Sequence, residues 1–152
     1  MISVQFIENN TVAKIDELKG RTDDATRKGI MQSQIHLQRM ITKNLSSGKF
    51  NIKSRHGGLS SSIAIAPVVK SGTGLVGIVG SNLKYARIQE VGGDIFPVKA
   101  RVLKFQIGGK WISSKHVRIP PHFYMMSTLA DEKDNIFQII KNAQGEAINV
   151  KA

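Results

Sequence analysis

The chain has no cysteine among its 152 residues, which excludes disulfide frameworks, thiolate zinc sites and thiol nucleophiles. It also has no apolar run approaching the ~20 residues that a helix needs to cross a bilayer. Its first ten residues, MISVQFIENN, lack the basic segment, apolar segment and small-residue cleavage site of a secretory signal, so the expectation is a soluble protein made in the cytosol. Aromatic residues are few, at six Phe, two Tyr and one Trp, and supply no clear platform for stacking successive bases. Carboxylates are missing from two long stretches, 25–89 and 95–130.

What remains is ordinary for a folded protein, with 41% hydrophobic and 22% charged residues. The length suits one domain spanning residues 1–152, with a loose tail expected after about residue 145. A chain of this size buries roughly two-thirds of its unfolded surface and needs no metal or disulfide to fold. The charge is more telling. Net charge is +11, and residues 25–130 hold sixteen Lys and Arg against only Glu90 and Asp94. Such a basic centre suits phosphate or an acidic partner protein.

Periodicity predicts an α+β fold, with a long N-terminal helix packed on a mostly antiparallel sheet, an extended β-hairpin and a C-terminal helix. Residues 2–7 alternate as a short strand, and Asn9-Asn10-Thr11 offers cap oxygens for a helix carrying Val12, Ile15 and Leu18. Gly20 interrupts that helix, and Thr22-Asp23-Asp24 is expected to start a second one. The second helix places Ile30, Leu37, Ile41 and Leu45 on one stripe, helped by Met40, and stops at Ser46-Ser47-Gly48. Ile63–Val69 and Leu75–Val79 form a strand pair, with Pro67 marking an edge or a bend. Leu83–Val91 reads as a short helix.

The segment 96–119 is the most patterned. Leu103, Phe105 and Ile107 alternate up to Gly108-Gly109, a two-residue hairpin signal, and Trp111, Val117 and Ile119 are expected to continue the alternation on the return strand. Val98, Ala100 and Val102 lie in the opposite phase, which predicts a bulge or a strand whose halves bury opposite faces. Pro120-Pro121 ends the strand, and Pro121 suits the first position of a helix running from His122 to about Asn142. That helix is expected to bury Met125, Met126, Leu129, Ile136, Phe137 and Ile140.

Catalytic constellations are thin. His36, His56, His116 and His122 form no HxxxH or HExxH pair, and the glycine pairs at 57–58, 92–93 and 108–109 build no phosphate loop. A hydrolase or nuclease would have to assemble His116, His122 and Glu90. A lone acid in basic surroundings is more often an ion-pair partner, so Glu90 is expected to pair with Arg87 or with a Lys of a neighbour. The reading is a protein without enzymatic activity, metal or cofactor.

Three motifs carry a family resemblance. Tyr85-Ala86-Arg87-Ile88-Gln89-Glu90-Val91-Gly92-Gly93 resembles the signature of the tail-completion and head–tail joining (neck) proteins of tailed bacteriophages, also known as phage virion morphogenesis or minor tail proteins. Gly58-Leu59-Ser60-Ser61-Ser62-Ile63 resembles the turn that precedes their first strand pair. Arg118-Ile119-Pro120-Pro121-His122-Phe123 resembles the approach to their last helix, with His122 where Arg is common. The resemblance covers residues 57–129, about half the chain.

It implies a small structural α+β protein of the virion neck or tail, assembled in the host cytoplasm. Such a protein acts as a ring, hexameric when assembled, between the head connector or stopper protein and the tail tube or terminator protein. It implies roles in local structure and subunit contact for Tyr85, Arg87, Glu90, Gly92, Gly93, Trp111, Pro120, Pro121 and Phe123. DNA in the channel is a further possible non-specific contact, and no membrane is involved. The competing class is a stand-alone basic nucleic-acid-binding protein, which rests on charge alone.

Overall fold

The computed structural model describes residues 16–52, 58–72 and 74–149. The expected strand over 2–7 and the caps at Asn9-Asn10-Thr11 lie outside the described residues. The fold is α+β as anticipated. It is built on two long helices, α1 (Asp16–Ser46) and α4 (Tyr124–Asn149), with antiparallel strands between them in the chain. The strands fall into three two-stranded ladders: β1 (Ile63–Ser71) with β2 (Gly74–Ser81), β3 (Gly93–Ile95) with β6 (Val117–Ile119), and β4 (Leu103–Ile107) with β5 (Lys110–Ser114). Two short helices, α2 (Gly58–Ser61) and α3 (Ala86–Val91), fill the corners.

Helix α1 does not restart at Thr22-Asp23-Asp24; it is 31 residues long and runs through Gly20. A glycine in a helix interior costs only ~1 kcal/mol. The buried stripe of Ile30, Leu37, Ile41 and Leu45 offsets far more than that, at about 1.5–3 kcal/mol per side chain. The helix stops where expected, with Gly48 at φ +78°.

The face of α1 turned to the strands is partly polar. Gln34 donates to the carbonyls of Ala66 (2.8 Å) and Ile78 (3.0 Å), Gln38 to that of Ile63 (2.6 Å), and Thr42 to that of Ser60 (3.3 Å). Spaced four residues apart, these side chains form a ladder of donors down one helix edge. Gln34 satisfies strand carbonyls beside the irregularity between Ala66 and Val69, where Pro67 has no N–H to give, while Gln38 reaches the start of β1 and Thr42 reaches α2. The approach is close: a Cβ at Gly77 would stand 2.6 Å from Ile30 Cγ2 and 3.0 Å from Gln34.

On its other side α1 packs against α4. A Cβ on Gly29 would come within 3.0 Å of the Ile140 backbone, so the helices nearly touch there. Farther along, His36 Nε2 meets the Glu132 carboxylate at 2.7 Å, and Asn44 donates to Thr128 Oγ1 at 3.0 Å. Glu132 also accepts from Asn135. These contacts, Asn135 first and His36 second, hold the Glu132 carboxyl below the usual carboxylate range.

Those polar contacts correct the expected phase of α4. Its buried stripe is Tyr124, Met125, Thr128, Glu132, Ile136 and Ala143, whereas Met126 and Phe137 are 57% and 62% exposed. Apolarity alone misplaced the stripe because two of its members are polar and satisfied across the helix pair. The helix also begins two residues later than expected, so neither Pro121 nor His122 is helical, and it continues past Gly145 to Asn149.

Two predictions follow from this packing. Gly77→Ala should lower stability by roughly 1–3 kcal/mol through overpacking against Ile30 and Gln34, read in urea unfolding. Because the Glu132 pKa is depressed in the folded state, its contribution is present above the unfolded carboxylate value and lost as pH falls through the folded one. Glu132→Gln should therefore melt below the native protein at neutral pH, with the gap closing under acid; a pH-independent gap would show that charge is not what Glu132 contributes.

Candidate assembly site

The turn from α3 into β3 and the turn from β6 into α4 are stitched together. The last carbonyls of a helix lack intrahelical partners. In α3 those of Gln89 and Glu90 accept the backbone N–H groups of His122 (3.1 Å) and Phe123 (3.0 Å). The Glu90 side chain completes the exchange: its two oxygens accept the N–H groups of Met125 and Met126, each at 2.9 Å. A carboxylate from one helix thus caps the first turn of another. Negative charge there also complements the positive end of the α4 dipole.

Glu90 is fully buried, and its expected ion pair with Arg87 is not formed. Arg87 is exposed and, with Lys84, Ser81, Tyr124 and Met125, borders an open cavity of about 280 Å³. The lone-acid pattern was legible in the sequence, but its partners are main-chain donors, which carry no residue signature.

The other motif residues meet at the same place. Gly92, at φ +73°, lies under Pro121: a Cβ there would stand 2.8 Å from the Pro121 nitrogen and 2.9 Å from the Ile119 oxygen. Both the left-handed conformation and the contact require glycine. Phe123 takes φ +48° to turn the chain into α4, a conformation that costs about 1–2 kcal/mol without glycine. The buried Tyr124 hydroxyl donates to the Ala86 carbonyl at 3.4 Å. Burial, then the charges of Glu90 and Tyr85, push its pKa up to about 12.

The first motif joins through Tyr85 and Ser81. A Cβ on Gly58 would be 2.9 Å from the Tyr85 hydroxyl. Ser62 Oγ and Ser81 Oγ are 2.7 Å apart, and Ser81 Oγ accepts the Leu83 N–H at 3.2 Å. All three sequence motifs therefore converge on one clasp between α2, α3 and the start of α4.

The clasp roots an arm. Beyond Gly92, β3 pairs with β6 (Gly93 opposite Ile119, Asp94 opposite Arg118, Ile95 opposite Val117). Residues 96–102 then leave the ladder, and Val98 is 95% exposed. The phase reversal at Val98, Ala100 and Val102 is thus neither a bulge nor a two-faced strand; the backbone is irregular there and β4 begins afresh at Leu103. The hairpin turn forms at Gly108-Gly109 as expected, with φ +56° and +82°. Those values match the φ > 0 pair of a type I′ turn.

The hairpin β4–β5 packs appreciably only on itself. One face carries Leu103, Phe105 and Ile107 with Lys110, Ile112 and Ser114 opposite them. Trp111 is not on that face: it pairs with Gln106, beside Lys104 and Ser113, and is 74% exposed. The two-residue turn sets Ile112 opposite Phe105 and Trp111 opposite Gln106.

His116 and His122 have different partners. The His116 ring stacks on Phe96 at 5.9 Å, and His122 Nδ1 lies 3.2 Å from the Gln89 carbonyl. Both oxygens of Glu90 are engaged by backbone N–H groups. Pro120 and Pro121 are exposed at the surface of the clasp, as is Phe123. Among the described residues, no helix is long and apolar enough to cross a membrane.

No protein-family model matches the chain, and neither a curated protein nor a solved structure matches it.

Removing the Glu90 carboxylate leaves two main-chain donors without acceptors. Glu90→Ala should cost about 2–4 kcal/mol in urea unfolding. Gly92→Ala should also destabilise, by strain against Pro121, while Arg87→Ala should stay within roughly 0.5 kcal/mol of the native protein. Equal losses for Glu90→Ala and Arg87→Ala would overturn the capping assignment.

Proposed function

We propose that this chain is a structural virion-assembly protein of a tailed bacteriophage, which completes the tail and joins it to the head connector as a ring. One observation carries the reading: the three motif segments that resemble neck proteins, separate in sequence, close on a single clasp at the root of the β4–β5 arm. That geometry uses Tyr85, Glu90, Gly92, Pro121 and Phe123 as structure. The arm adds a surface for assembly. Its apolar face carries Ile107 and Ile112, both exposed in the single chain, so a neighbouring copy or a connector protein has something to bury. A patch that meets a different patch on the next copy closes a ring when the rotation closes, and hexameric closure suits a sixfold tail.

The test is electron microscopy of particles made when the gene is deleted from its parent phage. Separate filled heads and free tails are expected for a joining protein, and abnormally long tails for a terminator. Intact, infectious virions would remove the proposal.

A further inference from the structure

The arm also carries charge whose chemistry the assembly reading does not use. Between Ile95 and Val117 it carries Lys99, Arg101, Lys104, Lys110 and Lys115 and no acid. All five are exposed, and among the described residues none is paired with a carboxylate. A sixth cation, Arg118, sits at the root opposite Asp94. The body of the protein neutralises part of its charge by contrast, through Lys28 with Glu146 and Lys49 with Asp131. Exposed, uncompensated charge therefore lies on and beside an element that, among the described residues, packs appreciably only on itself.

From this we infer that the β4–β5 arm is a contact surface for duplex nucleic acid, with Lys104, Gln106, Trp111 and Ser113 turned to it and the flanking cations on phosphates. Charge complementarity selects a polyanion. The ribbon's shape selects a duplex: two strands ~4.8 Å apart, with their side chains, fit a major groove about 12 Å wide. A single strand is disfavoured, since it needs successive aromatic platforms, and of the nearby rings Phe105 lies on the face opposite Trp111 and Phe96 is stacked on His116. A membrane surface is disfavoured because Trp111 and the Ile107–Ile112 pair lie on opposite faces, leaving no single apolar side to insert. Contact through phosphates predicts binding without sequence preference.

This deepens the neck reading by assigning nucleic-acid contact to one element, yet its premises are the arm's own residues; micrographs of particles test assembly, whereas the purified chain tests contact. Trp111 is the only tryptophan, so its emission reports directly on the arm. The full chain is titrated with a mixed-sequence duplex of about two helical turns, from about 50 to about 200 mM salt. Parallel titrations use a single strand of equal length, poly-glutamate, and vesicles containing an anionic lipid.

The expected result is a change in Trp111 emission with duplex and a logarithmic salt slope of about −3 to −5. Replacing Lys104, Lys110 and Lys115 by Gln should reduce that slope by about 3 and weaken binding at least tenfold. A second variant, Lys99→Gln with Arg101→Gln, should reduce it by about 2. Unchanged circular dichroism and unfolding midpoints will establish that each variant is folded. No duplex binding at the lowest salt, or a slope indifferent to both variants, would overturn the inference. So would an equal or stronger response to poly-glutamate, vesicles or single strand, and it would name the partner class that replaces duplex.

Discussion

Much of this structure depends on a carboxylate held by two backbone N–H groups. Glu90 belongs to a six-residue helix that has little stability of its own, since isolated helices that short do not persist in water. By capping α4 it gains a partner of 26 residues, and α4 gains satisfaction of two donors that would otherwise be orphaned at a buried terminus. The reverse bonds, from the N–H groups of His122 and Phe123 to the end of α3, make the exchange mutual. The crossing point is tight enough that a single methyl group at Gly92 would collide with backbone. The direction in which the β3–β6 ladder leaves the body follows from that crossing.

The helix pair beneath the clasp shows the same preference for polar precision over bulk. Leu37, Ile41, Tyr124, Met125 and Ile136 supply the apolar centre. Around it, Gln34 and Gln38 bind strand carbonyls, Thr42 binds a carbonyl of α2, and His36, Asn44, Thr128 and Glu132 lock α1 to α4. Buried polar groups are tolerable only when each finds a partner, and among the described residues no buried side-chain nitrogen or oxygen lacks one. Such networks tie the helices to one register, because sliding by a turn would strand every member at once.

Against this tightly determined body the arm is a different kind of object. Its strands bond to each other, its turn is set by two glycines, and among the described elements it packs appreciably only on itself. A ribbon of that sort is marginal alone and gains from whatever covers it. Its two faces offer different chemistry. Ile107 and Ile112 suit a protein surface, and Lys104, Gln106 and Trp111 suit a polyanion.

Local chemistry by itself determined the long helical stripe from Ile30 to Leu45, the stop at Gly48, the strand pair around Pro67 and the hairpin at Gly108-Gly109. These depend on periodicity and on glycine or proline geometry, which a residue carries wherever it sits. The motif glycines and Glu90 were also legible as unusual positions. What only the tertiary structure decided was the partner of each. Glu90 meets backbone rather than Arg87, the α4 stripe runs through Thr128 and Glu132 rather than Met126 and Phe137, and Trp111 turns away from Phe105. In each case the deciding group was a main-chain donor, a polar side chain satisfied from another element, or a register set by pairing. None of these is expressed in the apolar pattern of a single segment, because each exists only once two segments distant in sequence have met.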